Sequence, residues 1–128
     1  MADSSYGFLL LDKPSGISSH TAVRRAAKIL GAPKAGHAGT LDPLASGLLL
    51  VGLGRASRLL EYLVGMDKSY RATIKLGVAT KTLDREGEVV EEREPPPLDE
   101  AKIREALKKF TGKITQVPPV VSAIKSGG

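Results

Sequence analysis

Apolar runs separated by turn-forming residues dominate the first half of the chain, and they predict its secondary structure. GFLLLDK (7–13) ends at a Pro-Ser-Gly turn and predicts a buried strand, whereas GLLLVGLG (47–54) predicts a central strand. Between these runs, SSHTAVRRAAKIL predicts a helix that Ser18 or Ser19 caps and that Gly31 ends.

The predicted helix is amphipathic. Its apolar side consists of residues at helical spacing, namely Ala22, Val23, Ala26, Ala27, Ile29 and Leu30. A loop rich in Gly, Ala and Pro is expected at 31–42, and leucines return at helical spacing in 55–64. The first half is therefore expected to pack helices on strands.

The second half of the chain predicts further strands and one clear helix. KSYRATIKLGV (68–78) favours a strand through its β-branched and aromatic residues, although its alternation is imperfect. A loop around Asp84 leads to the short strand EVVEE, and a triple proline separates this strand from the helix LDEAKIREALKKF (98–110). KITQVPPVV begins like a strand, but Pro118 and Pro119 forbid regular central pairing.

Strands and helices in this order, without strict βαβ alternation, predict an α+β fold with a mixed, largely antiparallel sheet and flanking helices. Charge is unevenly distributed, because residues 1–83 carry eleven Lys and Arg against five Asp and Glu, whereas residues 84–128 carry eight against nine. A basic half is the expected footprint of a polyanion such as nucleic acid, although a generic basic surface gives the same charge. Neither a signal peptide nor a membrane span is recognisable, so a cytoplasmic protein is expected.

The segment GHAGTLDPLASG (36–47) places a single carboxylate, Asp42, among small residues. Asp42-Pro43 is typical of a turn, yet small neighbours also let a planar ligand approach the backbone. With no cysteine, and with His20 and His37 outside any metal-binding frame, neither a metal site nor a thiol nucleophile is expected. Either the acid only shapes a turn, or it acts chemically on its own.

GHAGTLDPLASGLL resembles the catalytic motif of the TruB family of pseudouridine synthases, which convert the T-loop uridine of tRNA to pseudouridine. DKPSGISS (12–19), KSYRATIKLG (68–77) and QVPPVVSAIKSGG (116–128) also resemble family blocks, in family order. A spaced pattern in the predicted loop resembles the family too, through Thr80, Thr82, Asp84 and Gly87. The resemblance implies the pseudouridine synthase core and runs through essentially the whole chain.

The resemblance implies a role for five residues. Asp42 matches the essential aspartate, which acts either as a covalent nucleophile or as an acid/base in a glycal-type route. Tyr70 matches a tyrosine that stacks on the target base, and His37 matches a histidine that supports the flipped-out nucleotide. Lys13 either touches a phosphate or is simply solvated, and Asp84 is either a loop acid near the site or a turn former.

The family reaction needs no cofactor and no metal, and the implied partner is the T-arm stem-loop of tRNA, bound by a protein that is monomeric when full length. Candidate phosphate contacts are Arg24, Arg25, Lys28, Lys34, Lys68 and Arg71. The resemblance implies that residues 1–128 correspond to the N-terminal part of the catalytic domain, without its second half and without a C-terminal PUA domain. This polypeptide alone is therefore expected to be inactive.

Two alternatives stay open at this point: a guide-RNA-dependent synthase subunit that modifies ribosomal RNA, and a non-catalytic RNA-binding module. One departure from the family is Val121, which stands where members commonly have an aromatic residue.

Overall fold

The apolar run in the middle of the chain forms the central strand of a three-stranded antiparallel sheet. This computed structural model describes residues 6–116, and the chain divides into two units, Met1–Ser69 and Tyr70–Gly128. The sheet of the first unit has the spatial order β1-β3-β2 and consists of β1 (Gly7–Lys13), β2 (Ala35–His37) and β3 (Gly47–Leu53). The strands predicted at 7–13 and 47–54 are confirmed.

One face of this sheet forms a small core with helix α1 (Ser19–Ile29). The buried apolar cluster consists of Ala22, Val23, Leu49, Val51 and Leu53. Leu9 and Leu11 of β1 pack against this cluster, whereas Phe8 and Leu10 alternate with them and are exposed. Each buried large aliphatic side chain contributes about 1.5–3 kcal/mol to stability, so this face holds the unit together.

Helix α1 begins where the sequence indicates, because Ser18 is its cap. The Ser18 hydroxyl accepts a hydrogen bond from the backbone N–H of Thr21 at 3.1 Å, which satisfies one of the free donors of the first turn. Ala22, Val23 and Ala26 are buried, as predicted. The expectation for Ile29 is wrong, since this residue is 83% exposed and the buried face of the helix ends one turn earlier.

Strand β2 lies inside the segment that was predicted as a loop. It pairs with β3 through Ala35 opposite Leu53 and His37 opposite Val51. Such a pairing depends on residues distant in sequence, and AGH has no β-branched residue to indicate it. The prediction of a continuous loop over 31–42 is therefore wrong in its middle.

A 3-10 helix (Gly54–Tyr62) follows β3 directly, where a helix of unspecified type was predicted. Its buried residue, Leu60, lies against two glycines that face each other across β2 and β3, Gly36 and Gly52. A Cβ atom at either glycine would lie only 3.0 Å from the Leu60 side chain. The cross-strand glycine pair therefore creates the space that Leu60 fills.

The second unit contains a two-stranded antiparallel sheet and a helix. Strands β4 (Val78–Thr80) and β5 (Val89–Glu92) form a hairpin with an irregularity between Ala79 and Thr80. Helix α2 (Glu100–Lys108) is capped by Asp99, whose carboxylate accepts from Ala101 N–H at 2.8 Å. The predicted strand EVVEE and the predicted helix over 98–110 are confirmed.

The strand predicted over 68–78 is wrong except at its last residue. Residues 67–75 adopt no regular secondary structure, and β4 begins only at Val78. A strand needs a partner for its backbone groups, and within residues 6–116 the ladder with β5 begins only at Val78.

The last predicted segment lies mostly outside the described residues. Residues 114–116 have no regular structure, and the Pro118-Pro119 pair together with Val121 falls beyond them. Among residues 6–116, no helix is long and apolar enough to cross a membrane.

Candidate active site

Asp42 lies in the loop that joins β2 to β3. Its backbone carbonyl accepts from the N–H of Ala45 at 3.0 Å, so Asp42-Pro43 does begin a turn. The Asp42 side chain is exposed, and its carboxylate makes no hydrogen bond or ion pair with any residue of 6–116. The turn interpretation and the chemical one are thus compatible, because the backbone shapes the turn and leaves the carboxylate open.

A second loop, between β1 and α1, holds this turn in place. The N–H of Gly16 donates to the carbonyl of Pro43 at 2.7 Å, and the hydroxyl of Ser15 donates to the carbonyl of Leu44 at 2.8 Å. The two loops meet because β1 ends at Lys13 directly opposite the start of β3. The position of the Asp42 backbone is therefore set by contacts about thirty residues away in the chain.

Lys13 is fully buried at this junction. Its ammonium donates to the carbonyls of Pro14 at 2.9 Å, Ile17 at 2.8 Å and Pro43 at 3.3 Å. An ammonium has three N–H donors, and here all three are used inside the protein. The phosphate contact and the solvated lysine expected from the sequence both disagree with this geometry, in which Lys13 joins the two loops.

Ser19 holds the other side of the turn. Its hydroxyl donates to the carbonyl of Leu41 and accepts from the N–H of the same residue, each at 2.9 Å. From the sequence, Ser19 is expected only as a possible helix cap. The signal that was available is the Ser18-Ser19 doublet, since a helix needs one cap and leaves the second hydroxyl for another partner.

His37 ends β2, on the chain segment that leads to Asp42, and is half-buried. Its Nδ1 is hydrogen-bonded to the carbonyl of Gly39, which lies at a φ of +105° that favours glycine. A carbonyl only accepts, so Nδ1 donates this hydrogen bond, and Nε2 forms none with residues 6–116. This bond orients the ring and leaves Nε2 for another hydrogen-bond partner.

Two of the predicted site residues, Tyr70 and Asp84, belong to the second unit. Tyr70 lies in an irregular segment and is 71% exposed. The first unit brings together Asp42, His37 and Lys13 along the loops at one end of its sheet.

The carboxylate of Asp84 is occupied by its own loop. Its Oδ1 accepts from the hydroxyl of Thr82 at 2.6 Å and from the N–H groups of Glu86 at 2.9 Å and Gly87 at 3.1 Å. These bonds, led by that from Thr82, hold the pKa of the exposed Asp84 carboxyl below its usual value. This is the geometry of a turn-forming aspartate.

Within residues 6–69, no cation of the first unit forms an ion pair with an acid. Arg24, Arg25 and Lys28 of α1 are exposed, and the four ion pairs formed within residues 6–116 all lie in the second unit. Lys68 differs from them, because its ammonium donates to the carbonyls of Val64 and Met66 at 2.8 and 2.9 Å. Over the described range, no three His, Asp or Glu side chains form a group that could hold a metal ion.

Comparison with known proteins places this geometry in a family. The N-terminal domain of the TruB family of pseudouridylate synthases matches residues 27–128. The tRNA pseudouridine synthase B of Leifsonia xyli subsp. xyli is 51% identical over 125 residues, covering 95% of this chain and 41% of the relative. That of Thermobifida fusca is 49% identical over 128 residues, covering 100% and 43%. The chain thus spans less than half the length of these curated relatives.

Solved structures of similar proteins show the same fold. A chain in the crystal structure of a Cbf5-Nop10-Gar1 complex is 34% identical with a TM-score of 0.61, covering 93% of this chain and 31% of that one. A chain of an archaeal box H/ACA sRNP Nop10-Cbf5 complex is 33% identical with a TM-score of 0.57, covering 85% and 29%. The predicted α+β fold with a largely antiparallel sheet is confirmed, and the chain belongs to the TruB family of pseudouridylate synthases.

Proposed function

We propose that the protein containing this chain converts the T-loop uridine of tRNA to pseudouridine. The relatives at about half identity are named tRNA pseudouridine synthase B, which supports tRNA as the substrate. The observation that carries the proposal is the exposed carboxylate of Asp42, placed on a turn whose backbone is fixed from both sides.

The reaction is an isomerisation that one aimed carboxylate can support. The N1–C1′ bond breaks, the freed uracil turns, a C5–C1′ bond forms, and the proton on C5 leaves while N1 gains one. Asp42 either attacks as a nucleophile and is later released, or removes a proton from the sugar in a glycal-type route and returns it. Both routes begin with a carboxylate that is not occupied by other hydrogen bonds. The reaction oxidises no group and adds none to the RNA.

The uridine has to leave its loop to reach Asp42, at a cost of about a few kcal/mol of unstacking. His37 supports the extruded nucleotide by stacking or by a hydrogen bond at its Nε2, and Tyr70 stacks on the target base. Phosphate contacts supply the remaining attraction, with Arg24, Arg25 and Lys28, which form no ion pair within residues 6–116, as candidates. Asp84 shapes a loop beside the bound RNA.

The T-arm stem-loop is the proposed recognition element, bound by a monomeric full-length protein in the cytoplasm. Because the curated relatives are more than twice as long, tests require a full-length protein, meaning a polypeptide of their length that carries these 128 residues.

The decisive experiment incubates the full-length protein with a bare T-arm stem-loop labelled with tritium at C5 of uridine. Release of tritium without any guide RNA is expected, and Asp42→Asn lowers its rate by about 10³-fold while RNA affinity changes little. Glu61→Gln is the matched control, since it makes the same carboxylate-to-amide change at an exposed position of the first unit.

Two outcomes contradict the proposal. Turnover that depends on an added guide RNA assigns the protein to a guide-RNA-dependent branch of the family. RNA binding without tritium release from the wild-type protein identifies a non-catalytic module.

A further inference from the structure

Ser19 makes an unusual pair of hydrogen bonds. It is only 2% exposed, and its single hydroxyl binds both the N–H and the carbonyl of Leu41. Leu41 directly precedes Asp42. The Leu41 carbonyl and the Asp42 N–H belong to one planar peptide unit, so a bond to that carbonyl also fixes the orientation of the unit that enters Asp42.

The hydroxyl is attached to a helix that is anchored in the core of the first unit. Ser19 is the first residue of α1, and the following turns of this helix are anchored in the core by Ala22, Val23 and Ala26. The loop around Asp42, by contrast, has few buried apolar side chains of its own. Leu41 packs against the core cluster that includes Ala22 and Val23, and the Ser19 hydroxyl adds the hydrogen bonds that join the helix to the loop.

Ser18, the neighbouring serine, forms different hydrogen bonds and is therefore a suitable comparison for Ser19. The hydroxyl of Ser18 accepts from Thr21 N–H and bonds the Thr21 hydroxyl at 2.9 Å, so it serves the helix alone. Both serines belong to the same helix start. Only Ser19 reaches the loop, over a separation of 22 residues.

We infer that Ser19 is a positioning residue for Asp42: its hydroxyl clamps the Leu41 peptide to α1 and thereby holds the carboxylate where the reaction occurs. The inference rests on the proposed function of Asp42. It does not make Ser19 a catalytic residue, because the hydroxyl is buried and has no access to the RNA. Loss of the clamp should therefore reduce kcat and leave KM for the stem-loop unchanged within about twofold, because small misplacements of a reacting group cost up to about 10²-fold in rate.

The test compares Ser19→Ala with Ser18→Ala in the full-length protein. Ser19→Ala is expected to lower kcat by about 10–100-fold and to speed amide hydrogen exchange at Leu41. Ser18→Ala loses the helix cap and lowers Tm by about 2–4 °C, with kcat and Leu41 exchange as in the wild type. A purely structural role for Ser19 predicts instead that both variants lose only Tm.

A second pair keeps the test informative if Ser19→Ala does not fold. Thr and Val have nearly the same shape, so Ser19→Thr and Ser19→Val differ mainly in the hydroxyl. The Thr variant should exceed the Val variant in kcat by at least about tenfold, and equal kcat values overturn the inference. Failure of the proposed function is distinguishable, because an inactive wild type would still show slow Leu41 exchange that Ser19→Val accelerates.

Discussion

The loops around Asp42 and Asp84 hold their aspartates in opposite ways. Around Asp42 the backbone is bound by partners 22 to 30 residues away, and the carboxylate makes no bond within the described range. Around Asp84 the carboxylate itself is bound, by groups two or three residues away. An acid that builds its own turn is occupied by that task, whereas an acid on a turn built by others is available for chemistry.

The largest expected difference between these loops is in activity. Asp42→Asn should reduce pseudouridine formation by the full-length protein by about 10³-fold, because it removes the only carboxylate that the proposed reaction uses. Asp84→Asn should cost less than about tenfold, since an amide oxygen can still accept the loop hydrogen bonds. Tritium release from the same stem-loop measures both, and comparable losses would refute the distinction drawn between the two acids.

The next effect concerns the buried ammonium of Lys13, which joins the loop between β1 and α1 to the loop that contains Asp42. Lys13→Met leaves three carbonyls without their donor and should lower the free energy of unfolding by about 3 kcal/mol. Lys34→Met is the control, because Lys34 is exposed and surface changes usually stay within about 0.5 kcal/mol. Urea unfolding of the two full-length variants provides the values; a Lys13→Met protein as stable as its control would mean that the ammonium is dispensable.

A smaller effect separates the cations of the two units. The double variant Arg24→Gln/Arg25→Gln should reduce the salt dependence of stem-loop binding by about two units of log Kd per log salt. Arg104→Gln/Lys108→Gln removes two cations that already pair with Glu100 and Glu105, and the salt dependence should stay unchanged. Fluorescence anisotropy across a salt series gives the slopes. Equal changes in both variants would show that charge alone, wherever it lies, governs binding.

The smallest effect is the pH response of the loop that contains Asp84. The folded pKa of Asp84 lies below its unfolded value, so its hydrogen bonds stabilise the loop above that unfolded value, about 3.9, and this stabilisation is lost as pH falls through the folded pKa. Carbon-detected NMR titration should find the Asp84 carboxyl titrating below its usual range. Thr82→Val, which removes the leading hydrogen bond, should move this pKa upward; no movement would assign the shift to another cause.

The elements that the sequence predicts well are those whose pattern is local. Helix α1, helix α2 and strand β3 follow from apolar spacing and from capping residues such as Ser18 and Asp99. The predictions of a loop at β2 and of a strand over 68–78 are wrong for one shared reason. Strand formation depends on a partner elsewhere in the chain, which neither the small residues of β2 nor the β-branched residues after Lys68 reveal.

The candidate site was predictable to a similar extent. Asp42 and His37 could be chosen because their motif resembles a family block, and the structure adds the geometry that leaves one open and orients the other. The burial of Lys13 was not predictable, since a lysine at a strand end is ordinarily solvated. Its carbonyl partners come from two separate loops, and only the fold brings them together.

The glycine pair beneath Leu60 has a consequence for how this sequence can diverge. A Cβ at Gly36 would meet only the terminal Cδ1 of Leu60, so a change to alanine there should be tolerated when Leu60 shortens to valine. At Gly52 the same atom would also lie 3.0 Å from the Cα of Ser57 and 3.1 Å from the carbonyl of Ala56, which no side-chain replacement can move. The two glycines, which face each other across one ladder, thus differ in the substitutions they tolerate. Gly36 can change together with Leu60, whereas Gly52 must remain glycine.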